Sequence, residues 1–365
     1  MKPELIPPAT ASGVRRSLLD HYDRTARDLP WRRDTDPYRV LVSEFMLQQT
    51  RVETVIKYYE PWLERFPSVE ALAAADEDQV LKAWEGLGYY RRARNLHKAS
   101  QIVAERYDGA IPSDPEALRA LPGVGEYTTG AVSSIAFGIP APAVDGNVRR
   151  VFARLFDEAA PTPSWLRVVA GRFVSEDRPG DWTQALMELG ATVCTPRTPA
   201  CVECPVVAWC AAHAAGTVDE RPAPPRKREV PTRVIPLAVY HTSGKALVQR
   251  RPANGLLAGL WAFPELNELG LEDCALSLGL TPRGDSGTLP DVEHRFTHLH
   301  ARYVPAVLEV EPRPAVNLAS DDDAESGAAP WPGEDLRWIG AEGRSDTALP
   351  VAQRKVFESW LESME

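Results

Sequence analysis

Apolar residues recur at helical spacing through residues 14–215, most plainly in 68–84, 115–121, 126–137 and 147–156. In the last of these Val148, Phe152 and Leu155 share one face, flanked by Val151 and Phe156. Asp36-Pro37 and Asp114-Pro115 read as helix starts, each with an acceptor side chain at the N-cap and Pro in the first turn. After residue 233 the period shortens to two. Ile235, Leu237 and Val239 alternate, Ser243-Gly244 marks a turn, and Ala246-Leu247-Val248 follows, which predicts a β-hairpin. Residues 302–310 predict another strand, and Val356, Phe357, Trp360 and Leu361 predict a closing helix. Between the two regimes, Arg221-Pro222-Ala223-Pro224-Pro225-Arg226-Lys227-Arg228 is basic, proline-rich and unable to hold a helix. The expected organisation is therefore multidomain: an all-α part over 1–216, a linker over 217–233, and an α+β part over 234–365.

Length and composition agree with this division. The chain has 365 residues, enough for about two domains. Its 44% hydrophobic and 25% charged content is that of a globular protein and argues against collagen, coiled coil and wholesale disorder. No signal core opens the chain and no apolar run approaches a membrane span, so a soluble cytoplasmic protein is expected, associated with the nucleoid if bacterial. The net charge of −10 speaks at first against a polyanionic partner. Counted by region it does not. Residues 1–220 carry −5, residues 221–233 carry +4, and residues 234–365 carry −9. Much of the acid falls in the last third, where Asp321-Asp322-Asp323 and Glu325 sit in a stretch that reads as a mobile loop. Positions 82–98 set Lys82, Arg91, Arg92, Arg94 and Lys98 against Glu85 alone, a candidate basic patch.

Four of the five cysteines, Cys194, Cys201, Cys204 and Cys210, fall within 17 residues, with intervals of six, two and five residues between them. Such a set can converge on one metal centre. Zinc sites favour two close pairs and only one is present, so the spacing favours a 4Fe–4S cluster over zinc, with disulfides behind both. Cys274 stands apart and reads as a small buried hydrophobe. Leu121-Pro122-Gly123-Val124-Gly125 joins two helical segments. A tight glycine turn followed by a helix N-terminus suits a phosphate, although the same pattern describes an ordinary helical corner.

Together, the cysteine window and this hairpin point to the helix-hairpin-helix DNA glycosylases, and further stretches resemble the MutY-type adenine glycosylases among them. These are Leu29-Pro30-Trp31-Arg32, Val42 through Val52, Trp84-Glu85-Gly86-Leu87-Gly88-Tyr89-Tyr90, Ala143 through Val148, and Glu188-Leu189-Gly190-Ala191. The resemblance is dense over about 15–215 and looser over 234–361. It implies a six-helix barrel over about 31–137, a cluster domain built from the N-terminal helix and about 138–216, and a Nudix-like C-terminal domain. It implies a monomeric enzyme that flips adenine out of duplex DNA and excises it when it lies opposite 8-oxoguanine or guanine. One 4Fe–4S cluster is expected on the four cysteines, and a monovalent or calcium ion is allowed at the hairpin. The linker is a candidate contact for other repair proteins.

Glycosidic cleavage needs a proton for the leaving base and negative charge near the sugar cation. Glu44 lies among Val40, Leu41, Phe45 and Leu47, surroundings that raise a carboxyl's pKa. Periodicity alone also allows a solvent-facing glutamate paired with Arg51; the resemblance makes Glu44 the acid that protonates adenine N7. Asp145 precedes a helix, where a carboxylate is expected to cap and to stay ionised. By resemblance it supports the cation, assisted by Asn147 and Tyr127. Tyr127 stands where lyase-active relatives of the endonuclease III type carry a lysine nucleophile, so a monofunctional enzyme is expected. Gln48 and Tyr89 resemble residues that fill the duplex beside the opposing purine, with Thr50 and Leu87 nearby in sequence. Arg32 and Glu188 resemble adenine contacts, Trp31 a pocket wall, and Gly123 and Gly125 the phosphate turn.

In the C-terminal part, Gly255 through Pro264 resembles the opening of a Nudix box, but the expected Glu-Glu pair is Leu276-Ser277. Without it a hard cation lacks its oxygen ligands, so a binding module is expected rather than a pyrophosphatase. Phe296-Thr297-His298 resembles the family's loop for 8-oxoguanine, with Thr where many relatives have Ser. The competing readings are a sister glycosylase for mismatched thymine or oxidised pyrimidines, a non-catalytic DNA-binding protein, and a Nudix hydrolase.

Overall fold

The computed structural model describes residues 7–224, 229–252, 254–266, 270–312, 336–342 and 346–364. The acidic stretch Asp321 to Glu325 and part of the basic linker lie outside the described residues. The chain divides into two compact units: Met1–Ala75 with Arg92–Lys227, and Asp76–Arg91 with Arg228–Glu365.

The first unit is helical. Its elements are α1 (Pro8–Thr25), α2 (Pro37–Leu47), α3 (Val52–Arg65) and α4 (Val69–Ala73). After α5 (Glu77–Ala83), which belongs to the other unit, come α6 (Arg91–Arg106), α7 (Pro115–Arg119), α8 (Glu126–Phe137), α9 (Gly146–Leu155), α10 (Pro163–Phe173), α11 (Pro179–Thr192) and α12 (Ala211–Ala215). The helix expected over 68–84 is two helices, α4 and α5, because the chain breaks at Ala74–Asp76 and restarts with Glu77 and Asp78 in a new first turn. The two Asp-Pro starts are as read. Asp36 accepts from the Arg39 amide at 2.9 Å and Asp114 from the Ala117 amide at 2.8 Å. One core gathers Leu18 and Tyr22 of α1, Phe152 of α9, Phe173 of α10 and Trp182 of α11.

The second unit holds a mixed sheet of β1 (Thr232–Thr242), β2 (Lys245–Arg250), β3 (Trp261–Ala262), β4 (Leu280–Thr288), β5 (Val292–Arg295), β6 (His300–Pro312) and β7 (Leu336–Ile339), with α13 (Leu271–Ser277) and α14 (Val351–Glu362). The path runs β3-β2-β1-β6-β4, with β5 also on β6 and β7 also on β2. β1 and β6 pair in parallel from Thr232↔His300 to His241↔Glu309, the longest ladder of the sheet. The β1–β2 hairpin turns at Ser243 and Gly244, both at positive φ, as a tight two-residue turn requires. Val356, Phe357 and Trp360 of α14 pack with Trp261 and Phe263 in one of its cores. Among the described residues, no helix is long and apolar enough to cross a membrane.

Candidate active site and cysteine cluster

Two helix faces with the same spacing meet a cavity of about 150 Å³ in the helical unit. Val40, Ser43, Glu44 and Leu47 of α2 follow i, i+3, i+4, i+7, and so do Gln184, Met187, Glu188 and Ala191 of α11. Trp31, Arg32, Arg27, Thr50, Tyr127, Asp145 and Asn147 complete the lining that bears on the chemistry.

Glu44 is 4% exposed, and its Oε2 has no hydrogen-bond partner among the described residues. Burial pushes its carboxyl up to about 7; Tyr127 hydrogen-bonds it and pulls the other way, while Asp145 adds to the rise. The solvent-facing, Arg51-paired alternative is excluded by that burial. The Tyr127 hydroxyl also reaches the Met187 sulfur at 3.6 Å. Asp145 caps α9, accepting from the Val148 amide at 2.7 Å and from Asn147 Nδ2 at 3.0 Å. The cap is as expected, but burial raises the Asp145 pKa despite those bonds and the charge of Arg150. The N-terminal position thus offsets desolvation without overcoming it.

Glu188 is its electrostatic opposite. Arg27 reaches it through Nε at 2.7 Å and Nη2 at 2.9 Å, and Arg32 through Nη2 at 2.8 Å. Burial works to raise the Glu188 pKa, and the two guanidiniums outweigh it, so the carboxyl is held below its usual range. Trp31 is 8% exposed and meets Tyr59 edge-on at 5.7 Å. Close approach sets the geometry: a Cβ on Gly190 would stand 2.6 Å from the Asn147 Cβ, so α11 reaches the start of α9 only with glycine there. Arg150 fixes the same junction, donating to Asn147 Oδ1, Gly190 O and Cys194 O at 2.8–2.9 Å.

The hairpin runs from α7 into α8. Gly123 has φ +79°, and a Cβ there would press on Phe45 and Asn95, which explains glycine at this position. Gly125 is the N-cap of α8, whose first turn no side chain caps. Gln48 ends α2 and donates to Thr128 Oγ1 at 3.3 Å. Thr50 accepts from Arg92 Nη2 at 2.9 Å. Arg92 is buried and gives its Nη1 to the carbonyls of Phe45, Met46 and Gln48, so it caps the C-terminus of α2. This corrects the basic patch: Arg92 is committed to the fold and Lys82 pairs with Glu85 at 2.5 Å, while Arg91 and Lys98 are exposed. Leu87 and Tyr89 belong to the second unit; Leu87 is buried and Tyr89 is 46% exposed at φ +47°.

Cys194, Cys201, Cys204 and Cys210 line one small cavity with Arg154, and none is in a disulfide. Arg154 donates to the Cys194 sulfur at 3.4 Å, and the Cys210 thiol donates to the Arg154 carbonyl. Among the described residues, no group of three or more His, Cys, Asp or Glu is arranged as a ligand set for a metal ion. The donor set still fits a polythiolate-bound cluster. Four soft ligands face one space, and a buried guanidinium stands where negative charge would collect.

In the second unit, Phe296 to Leu299 form the tip between β5 and β6, closed by Phe296 N to Leu299 O at 2.7 Å. Thr297 and His298 are exposed, and Phe296 meets His294 edge-on at 4.5 Å. Leu276 and Ser277 are exposed on α13.

Residues 42–167 match the HhH-GPD superfamily base excision DNA repair protein model, and 236–359 match the NUDIX domain model. Human adenine DNA glycosylase is 35% identical over 96% of this chain and 74% of its own length. The chain belongs to the adenine DNA glycosylase family. The Mycolicibacterium smegmatis adenine DNA glycosylase is 46% identical over 56% of this chain and 72% of its own. A thermostable thymine-DNA glycosylase superposes with a TM-score of 0.54 at 29% identity, covering 57% of this chain and 98% of that one. An endonuclease III–DNA complex shares the fold with a TM-score of 0.50 at 22% identity, covering 58% and 99%. This adenine glycosylase is thus a DNA N-glycosylase of base-excision repair. The helical and Nudix-like architecture is as the sequence implied.

Arg27, Gln184 and Met187 escaped the sequence reading. The i−4 and i−1 spacing of Gln184 and Met187 from Glu188 would have found those two. Arg27 lies in a loop, where no period applies.

Proposed function

We propose that this glycosylase excises adenine lying opposite 8-oxoguanine or guanine, by hydrolysis and without a lyase step. The observation that carries the reading is the opposed state of the two cavity glutamates. Glu44, its carboxyl raised to about 7 by burial, retains a proton up to neutrality and acts as an acid; Glu188, held low between two arginines, accepts hydrogen bonds from the base. Glu44 gives its proton to adenine N7, the C1′–N9 bond breaks, and the base leaves neutral. Asp145, ionised, supports the sugar cation directly or through a transient ester. Water then adds to C1′, displacing the Asp145 carboxylate where the ester has formed, and gives its proton to the Glu44 carboxylate, which yields an abasic site. Asn147 holds Asp145, and Tyr127 holds the Glu44 carboxyl. Trp31, Arg32 and Glu188 receive the flipped adenine. Gly123 and Gly125 hold a backbone phosphate. Gln48, Thr50, Leu87 and Tyr89 serve the opposing base, and Phe296, Thr297 and His298 read 8-oxoguanine.

Cys194, Cys201, Cys204 and Cys210 would hold one 4Fe–4S cluster, which supplies a rigid cross-link to the surrounding loop. Replacing Cys204 with Ser should remove the broad visible absorbance of the purified protein; an unchanged spectrum with full iron content refutes that assignment.

The decisive assay uses duplexes with A opposite 8-oxoguanine, A opposite G, T opposite G, or thymine glycol, each with and without alkali. Alkali-dependent breaks confined to the adenine strands are expected. Breaks on the T-containing duplexes alone would move the enzyme to a sister specificity, and equal nicking without alkali would reject the monofunctional reading.

A further inference from the structure

The segment Asp76–Arg91 folds with the sheet unit although it interrupts the helical sequence. One face of α5 and its continuation accounts for this. Asp78, Lys82 and Glu85 follow i, i+4, i+7. Asp78 Oδ1 accepts from Arg250 of β2 at 2.5 Å, and Oδ2 accepts from Arg337 of β7 at 3.2 Å and from the Trp261 indole of β3 at 3.4 Å. Lys82 donates to the Thr347 carbonyl at 3.2 Å, and Glu85 accepts from the Leu349 amide at 3.3 Å. Both guanidiniums also lie on the Trp261 ring, at 5.0 Å for Arg250 and 4.3 Å for Arg337. Two cations on one indole repel each other, and Asp78 is the anion that both of them contact.

Beyond α5 the chain is equally constrained. The buried Trp84 donates its indole N–H to Gly88 O at 3.0 Å, and the Gly86 amide donates to the Tyr90 hydroxyl at 3.3 Å. Gly86, Gly88 and Tyr89 all take positive φ in the bend that exposes the Tyr89 ring. The bend therefore inherits its placement from the sheet through α5.

We propose that Asp78 is a positioning residue for opposite-base recognition: with Arg250, Arg337 and Trp261 it fastens the Tyr89 bend to the same unit that carries the Phe296–His298 loop. The inference rests on the reading of Tyr89 as a contact to the opposing purine. Discrimination between partner bases then depends on one sheet-mounted body rather than on two loops placed independently.

The test measures single-turnover kcat/KM on A opposite 8-oxoguanine and on A opposite G, and takes their ratio. Asp78→Asn and Arg337→Gln should each lower that ratio about tenfold, and Asp78→Glu should restore most of it. Amide exchange should accelerate over residues 84–90 in Asp78→Asn while the β1–β6 ladder keeps its protection. In the background of Tyr89→Ala, Asp78→Asn should change the ratio no further. A normal ratio in Asp78→Asn, with Tyr89→Ala defective, overturns the anchoring and leaves the Tyr89 reading intact. A normal ratio in Tyr89→Ala overturns both. Equal losses on the two duplexes, with faster exchange throughout the sheet, reduce Asp78 to a general stabilising contact and also overturn the proposal.

Discussion

The α2 and α11 faces of the cavity place a buried glutamate at the same point of the same helical spacing, yet the pKa values of the two carboxyls are shifted in opposite directions. Glu44 sits between Val40 and Leu47 with one oxygen unpartnered among the described residues, and burial lifts it to about 7. Glu188 is also little exposed, at 5%, but meets two guanidiniums that outweigh its burial and hold it low. Burial alone therefore does not make an acid. The two arginines beside Glu188 turn its pKa shift downward, where Glu44 has no such cation among the causes of its shift.

The sharpest way to break this contrast is Glu44→Gln. Removing the titratable proton should cost about 10³-fold or more in the single-turnover excision rate, while DNA affinity stays within a few-fold. A rate within tenfold of the parent would remove Glu44 from the chemistry. The converse change, Arg32→Met, strips one cation from Glu188. Its pKa should rise, excision should fall by about 10²-fold, and the fold should lose a few kcal/mol as a buried charge loses a partner; thermal melting and single-turnover rates read both, and an unchanged melting point would show that Arg27 suffices.

The pH profile comes next in size. An acid with a pKa of about 7 is protonated below that value, so the excision rate should fall about tenfold per unit above it, and fall again at lower pH where Asp145, whose pKa burial also raises, takes up a proton. A rate that rises with pH above about 7 would contradict an acid role. The smallest effect is expected from Tyr127→Phe. Its hydroxyl favours the ionised Glu44, so its loss should move the descending limb to higher pH, with roughly a tenfold change in maximal rate. A limb that moves down would mean Tyr127 acts on another group.

The outline of the contrast was legible in the sequence. The apolar neighbours Val40, Leu41, Phe45 and Leu47 announced a raised carboxyl, and Asp145 before Gly146 announced a cap. The arginines were less legible. A count of charges along 82–98 suggested a DNA-facing patch, but Arg92 caps α2 from within and Lys82 pairs with Glu85. Charge sums do not distinguish a guanidinium that satisfies carbonyls from one that faces solvent. Arg27 was invisible because its partner lies 161 residues away. The Asp145 cap was legible, but the upward push of burial on its pKa was not, since burial is a property of the assembled helices. Strand β4 lacked a clear alternation because most of its length is exposed.

The burial of Glu44 also has a consequence for stability. A carboxyl whose pKa is raised in the folded state binds its proton more tightly there than in the unfolded chain. Its stabilising contribution is complete below about 4.5 and is lost as pH rises toward about 7. Above that range, this one side chain disfavours folding by about 3 kcal/mol. An apolar residue of similar size would remove that liability, so selection for thermal robustness alone would favour discarding the residue on which base excision depends.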